Sequence, residues 1–281
     1  MKLWYEDGQL VVKYTGLPRW LIFEVNNYHT MRAIPQLDLI MKNLRKSVFL
    51  TYLVIFLQIS CQNDIFKCGT VILDFEGNTY NTVQIGKQCW TQSNLKVSRY
   101  QNGDNIPTGL SHSAWETTNS GAYAIYNNDP VNDGLYGKLY NYYAVTDSRG
   151  LCPTGWHVPS DGEWNILVKY LDPDADTVCI NCVQSSTAGG ALKSTATQPT
   201  LGGWNSPNAG ATNSSGFTAL PGGLRYYFGD LSGMSNLGCW WSSSVSSGSN
   251  AWFRYLYFND SNIYRFNYYR TFGFSVRCCR D

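Results

Sequence analysis

Charge is scarce in this sequence. Asp, Glu, Lys and Arg make up 15% of it and the formal net charge is +1, against about 25% charged residues in ordinary globular chains. So neutral a chain offers no footprint for a nucleic-acid polyanion, and no nucleic-acid partner is expected. Histidine is scarcer still, limited to His29, His112 and His157. General acid–base chemistry would therefore fall on one of these or on carboxylates. A bilayer-length apolar run is also wanting at the one place that approaches it. Residues 48–57 are apolar but broken by Thr51, and a span takes about 20 residues.

That short run sits inside a recognisable order. Residues 41–64 read MKNLRKSVFLTYLVIFLQISCQND. Lys42, Arg45 and Lys46 precede the apolar stretch with no acidic residue among them, and small Ser60 precedes Cys61. A basic start, a short apolar centre and a small residue at the cut describe a secretory signal peptide, here residues 41–60. Cys61 is placed like the lipid-acceptor cysteine of a bacterial lipoprotein, although Gln58 stands where such signals usually carry leucine. Residues 61–69 then read as a linker from the lipid anchor. Because a signal works near an N-terminus, Met41 reads as the working start. Residues 1–40 carry no repeat and no catalytic pattern, and read as an upstream extension outside the fold. The expected location is exported: cell envelope, outer membrane or cell surface, held to the membrane through lipid.

Export decides how the nine cysteines are read, since an oxidising compartment favours disulfides over metal or redox thiols. With Cys61 set aside, Cys68, Cys89, Cys152, Cys179, Cys182, Cys239, Cys278 and Cys279 form an even set. Such a set allows about 105 pairings that spacing alone does not resolve.

The residues from 70 onward read as one domain. Two short strands, residues 71–74 and 79–85, flank the turn at Gly77-Asn78, and a third passes through Cys89-Trp90. A short helix is expected over 140–145. A clearer one starts at Ser160, where Ser160 and Glu163 have capping-box spacing and Trp164, Leu167, Val168 and Leu171 make an apolar face. Residues 172–216, rich in Gly, Ser, Thr, Asn and Pro, read as mostly loop. Alternation from Ala251, the turn at residues 259–262, and residues 263–269 and 273–278 complete a terminal sheet. Strands at both ends around two helices and a long loop make the fold class α+β.

The segments IGKQCWTQSNLKVSRYQNGDNIP, GLYGKLYNYYAV, CPTGWHVPSDGEW, GGALKST, ATNSSGFTALPGGLR, WWSSS, AWFRYLYF and GFSVRC resemble, in order, the motifs of the Fibrobacter succinogenes major paralogous domain family. The resemblance covers about residues 70–281. Members are typically exported, often as lipoproteins, and the family transfers no established activity. HVPSDGEW and GFSVRC also resemble elements of the formylglycine-generating and sulfatase-modifying group. That likeness implies a C-type-lectin-like fold: a twisted antiparallel sheet, two helices and long loops. Such folds return the chain end beside its start and tie the sheet to a helix region, which implies a Cys152–Cys278 disulfide. Cys279 stands where the family usually has an apolar residue.

No residue is assigned to catalysis. His157 lies five residues after Cys152, but a bridged Cys152 cannot act as nucleophile, and Asp161 and Glu163 fit helix capping. The redox cysteine pair of the formylglycine-generating oxidases has no counterpart in WWSSSVSSGSNAWFRYLYF. No metal ligand is assigned either. Cys179 and Cys182 have zinc-finger spacing without a second such pair. No cofactor is expected. Calcium is the cation the lectin likeness raises, yet Ser206 replaces a carboxylate in Ser206-Pro207-Asn208. Asp172, Asp174 and Asp176 lack the Gly and Glu that would complete a calcium loop.

Aromatic side chains are what remain. Trp240, Trp241, Trp252, Tyr255, Tyr257, Tyr264, Tyr268 and Tyr269 crowd the last third beside Arg254, Arg265 and Arg270. Strand alternation puts Trp252 and Arg254 on one face and Phe253, Tyr255 and Tyr257 on the other. Arginine resists burial, so Trp252 and Arg254 are expected outside. With Trp240 and Trp241 they would form a platform for an acidic sugar ring. The expected protein is a non-catalytic module binding polysaccharide or a surface protein. The alternatives are a polysaccharide-active enzyme and a structural, protein-binding surface domain.

Overall fold

The computed structural model describes residues 2–6, 9–13 and 66–280. The chain divides into two compact units, Met1–Phe66 and Lys67–Asp281. In the first, β1 (Lys2–Glu6) pairs antiparallel with β2 (Gln9–Lys13). Residues 41–60, expected to be a signal peptide, and Cys61 lie outside the described residues.

The second unit opens with β3 (Val71–Leu73), β4 (Thr79–Ile85) and β5 (Gln88–Thr91). The reversal between β3 and β4 is built by Asp74, whose Oδ1 accepts the backbone N–H groups of Glu76 and Asn78. Gly77 takes φ 84° there, a value that costs a residue without Cβ little. Then follow α1 (His112–Thr117), β6 (Tyr123–Ala124), α2 (Pro130–Tyr136), β7 (Leu139–Tyr140) and α3 (Tyr142–Val145). Next comes α4 (Asp161–Leu171), started by a complete capping box: the Ser160 hydroxyl accepts from Glu163 N and the Glu163 carboxylate from Ser160 N. Its stripe Trp164, Leu167 and Val168 is buried.

Residues 172–216 are less irregular than their composition implies. They hold β8 (Cys182–Ser185) and α5 (Ala188–Leu192). Two helix glycines explain the second: a Cβ at Gly189 would lie 2.0 Å from the Asn262 carbonyl oxygen, and one at Gly190 2.2 Å from that of Gly210. The Gly-Gly pair that looks like a helix breaker is a close-packing surface. Five helices rather than two are thus present among the described residues.

β9 (Gly222–Arg225), β10 (Leu231–Met234), β11 (Leu237–Ser247), β12 (Asn250–Tyr257) and β13 (Ile263–Tyr269) form the main sheet with β8. Its order is β10-β9-β11-β12-β13-β8, antiparallel except where β9 meets β11. The final β14 (Cys279–Arg280) pairs with β5, giving a second sheet in the order β14-β5-β4-β3. The architecture is α+β.

Residues 273–278 do not form the continuous strand expected of them. Gly273, Phe274 and Ser275 bridge singly to Arg225, Tyr140 and Trp240, because this segment passes between elements of different sheets. Arg277, wholly buried, pins it: Nε donates to Asn94 Oδ1, and its Nη atoms donate to the carbonyls of Thr91, Phe217 and Thr218. Cys152 and Cys278 are joined across 126 residues. Closing a loop of that order restricts the unfolded chain by about 4–5 kcal/mol on the entropic account. Among the described residues, Cys68–Cys89 and Cys179–Cys182 are the other disulfides. Trp90, Trp164, Phe217 and Trp240 pack edge-on or tilted at 4.9–6.1 Å in the core between the sheets and α4.

Candidate functional site

β12 lies between β11 and β13, and both of its faces are covered at its centre. The expectation that one face is core and the other solvent fails there. Arg254 is 0% exposed. Its Nε donates to Gln184 Oε1 (2.6 Å), Nη1 to Asp161 Oδ1 (2.8 Å) and Nη2 to Asn165 Oδ1 (2.8 Å). A guanidinium with this many acceptors can be buried where an unpaired one cannot. On the opposite face Phe253 is also buried, packed on Trp241 and Phe274.

Trp240 and Trp241 correct the platform in the same way. As neighbours on one strand they point to opposite faces, and each face holds a core. Trp240 packs on Phe217 and donates to Asn94 Oδ1; Trp241 packs on Tyr142 and Phe274 and donates to the Tyr140 carbonyl. Neither reaches solvent. Trp252 is half-buried, roofed by the Arg265 guanidinium 3.6 Å from its ring centroid. Of the four expected platform residues, Trp240, Trp241 and Arg254 belong to the interior and Trp252 is largely used by a neighbour.

The cations on this side are balanced by one carboxylate. Arg254 and Arg265 sit directly opposite across β12 and β13, a repulsive register unless an anion lies between them. Asp161, at the first position of α4, does so: Oδ1 also accepts from Arg265 Nε (3.0 Å) and Oδ2 from Arg265 Nη2 (2.7 Å). Burial works to raise the Asp161 pKa, but Arg265 and Arg254 outweigh it and hold the carboxyl below its usual range. Burial pulls the Arg254 guanidinium down to about 10, with Asp161 opposing, so Arg254 keeps its charge beside the ionised Asp161 at neutral pH.

The loops weighed for calcium are held by the protein's own groups. Lys193 Nζ donates to the carbonyls of Ala209 (2.8 Å), Tyr257 (3.1 Å) and Asp260 (2.7 Å). This ammonium occupies the oxygen cage between residue 209 and the turn at 260. Asp172 accepts from Asp174 N, Ser185 Oγ and Thr187 Oγ1, while Asp176 accepts from Val178 N and Cys179 N. These carboxylates cap loop backbone rather than converge.

The concavity with unused chemistry lies at the far end of β12 and β13. A cleft of about 460 Å³ is lined by Tyr226, Tyr227, Phe228, Tyr268, Tyr269 and Phe272, with Asn181, Asn250 and Asn267. Its rings brace one another: Tyr226 stacks on Phe228 at 5.0 Å, Tyr268 on Phe272 at 4.8 Å, and Tyr227 meets Tyr269 edge-on at 5.4 Å. Phe228, Tyr268 and Tyr269 nevertheless remain 37%, 42% and 51% exposed. The amides form a chain. Asn181 Oδ1 accepts from Asn267 N and Nδ2, and Asn267 Oδ1 accepts from Asn250 Nδ2. The chain ends on Asn250 Oδ1, which is buried and has no partner. Flat apolar walls with a fixed polar terminus suit a ring that carries both a hydrophobic face and hydroxyl groups.

Tyr268 and Tyr269 were legible as surface aromatics; Tyr226, Tyr227, Phe228 and the amides were not. The available signal was the run YYF before Gly229-Asp230, three successive rings leading into a turn, where the chain runs over the surface. Residues 83–280 match the family described as the Fibrobacter succinogenes major domain. No curated protein and no solved structure matches the chain.

Proposed function

The chain belongs to the Fibrobacter succinogenes major domain family, and we propose that this member is an exported, lipid-anchored surface module that binds carbohydrate without catalysis. The observation that carries the reading is the aromatic cleft at Tyr226, Tyr268 and Tyr269, closed by the unpartnered Asn250 Oδ1. A pyranose stacks its C–H face on such rings, and one of its hydroxyls donates to Asn250 Oδ1 once a shift of the lining side chains uncovers that buried acceptor. The asparagines carry no net charge, so a neutral glycan fits this cleft better than the acidic sugar that Arg254 was expected to hold. The fold is read as C-type-lectin-like on three features: return of the chain end to β5, a capped helix against the sheet, and long loops. Export and anchoring rest on residues 41–61 alone.

A glycan array probed with the purified chain tests the binding claim. Retention of neutral polysaccharide fragments, without release of product, is expected. Tyr268→Ala with Tyr269→Ala should weaken retention about tenfold or more, the equivalent of about 1.4 kcal/mol. An array that stays blank, or retention indifferent to both substitutions, removes the carbohydrate reading. Labelled palmitate tests the anchor: label should enter the wild-type chain and not Cys61→Ala.

A further inference from the structure

His157 is remote from the cleft in role and sequence, and its surroundings have a different chemistry. Its backbone is bridged to Cys279 by two hydrogen bonds, His157 N to Cys279 O at 3.0 Å and Cys279 N to His157 O at 2.9 Å. That pairing fixes the two side chains against each other. The capping box brings in a third: Glu163 Oε2 accepts from Ser160 N at 2.6 Å, leaving Oε1 aimed elsewhere. Oε1 lies 2.5 Å from His157 Nε2, Cys279 Sγ lies 3.2 Å from the same Nε2, and Sγ and Oε1 are 3.7 Å apart.

Two readings compete. In a nucleophilic triad the imidazole uses one nitrogen for the nucleophile and the other for the orienting carboxylate. Here a single nitrogen faces both, and the sulfur is 0% exposed, so no acyl substrate reaches it. The imidazole N–H and the thiol S–H can each donate to Glu163 Oε1. With those protons gone, the same three atoms, all within 4.8 Å of one another, present three lone pairs that one metal ion can take. We propose that His157 Nε2, Glu163 Oε1 and Cys279 Sγ form a binding site for a zinc-class divalent cation.

The donor set is the mixed S, N, O type that Zn²⁺ accepts at about 2.0–2.3 Å, with ligand atoms then about 3.3–3.7 Å apart. The Sγ–Oε1 separation of 3.7 Å lies within that spacing and the Sγ–Nε2 separation of 3.2 Å just short of it. The Nε2–Oε1 pair, 2.5 Å apart, must widen by about 0.8 Å, which a rotation of the half-exposed imidazole (46% by side chain) supplies. The cation enters from the His157 side and the thiol proton leaves to solvent. Three protein ligands leave a fourth position for water. The site does not depend on the carbohydrate reading.

The test is a Co²⁺ titration of the full metal-free chain, purified without reductant, followed by displacement with Zn²⁺. A thiolate-to-cobalt charge-transfer band saturating at one ion per chain and bleached by zinc is expected, with a zinc-dependent rise in Tm. Cys279→Ser should abolish the band, and Glu163→Gln should weaken binding at least tenfold. His157→Gln, at an exposed ring, keeps the fold by circular dichroism and should lose both the band and the Tm rise. Absence of a band in the wild-type chain overturns the site. So does a band or zinc-dependent Tm rise that survives in folded His157→Gln.

Discussion

β12 and β13 carry polar groups at two places, and the two differ in how completely those groups are used. Around Arg254 each guanidinium nitrogen has an acceptor, Asp161 is shared between two arginines, and Trp252 is roofed by Arg265. Around Asn250 the amide chain stops on an oxygen with nothing to accept, beside rings about half in water. Both regions combine aromatic faces with polar tips, which is why composition alone points to either as a binding surface. Saturation separates them. A satisfied buried network specifies the fold, while an unsatisfied buried acceptor at a cleft is a cost that a ligand can relieve.

The comparison breaks most visibly at Arg254. Arg254→Ala strips Asp161, Asn165 and Gln184 of a shared donor and leaves Arg265 to balance the carboxylate alone. Removing one partner of a buried pair costs about 3–5 kcal/mol, so the urea midpoint should fall steeply. If Arg254→Ala leaves the midpoint within about 0.5 kcal/mol of wild type while abolishing glycan retention, the two regions have been assigned the wrong way round.

Acid should expose the same asymmetry with a smaller effect. Asp161 has its folded pKa below the ordinary value of 3.8, so the unfolded chain binds the proton first. Its contribution is therefore fully present above about pH 4 and is lost as pH falls through the depressed folded value. Denaturation midpoints measured from pH 7 downward should drop more steeply in wild type than in Asp161→Asn once below about pH 4. Parallel acid limbs would show that Asp161 does not carry this dependence.

How much of this was legible in the sequence follows the range of each interaction. The capping box of Ser160 and Glu163, the β3–β4 turn and the strand character of β12 are local, and they read correctly. Burial of Arg254 was not legible, because its acceptors Asp161, Asn165 and Gln184 lie 70–93 residues away. General reluctance to bury arginine pointed the wrong way. Trp240 and Trp241 failed for a related reason: a strand with a core on each side shows no solvent face in its pattern. The approach of Cys279 to His157 depends on β14 closing onto β5, which no local spacing announces. The aromatic cleft was half legible, since β13 supplied Tyr268 and Tyr269 whereas the Tyr226–Phe228 wall comes from a loop.

Trp252 sharpens the contrast at intermediate size. Its ring lies under Arg265 at 3.6 Å, a contact worth about 0.5–2 kcal/mol when partly desolvated. Trp252→Ala should lower stability by about 1–2 kcal/mol and leave glycan retention as it was. Lost retention at unchanged stability would restore this residue to a binding surface.

The smallest stability effect is expected at Asn250, and it discriminates best. Asn250→Ala removes a buried acceptor whose desolvation is uncompensated, a burden of about 1–3 kcal/mol. It also removes the donor to Asn267 Oδ1, a bond with a net worth of about 1 kcal/mol. Asn267 Oδ1 is then left to water, which the half-exposed residue can reach. The terms oppose one another, and the space left by the missing amide takes back part of the gain, so the unfolding midpoint should move by less than about 1 kcal/mol in either direction. Binding has no such cancellation: a sugar hydroxyl that donates to Oδ1 loses its acceptor, and retention should weaken about tenfold. Asn250→Asp keeps an acceptor at the same place and should retain glycan better than Asn250→Ala. Equal loss in both variants would mean that Oδ1 is not the contact, and a fall in stability matching Arg254→Ala would place Asn250 among the groups that hold the fold.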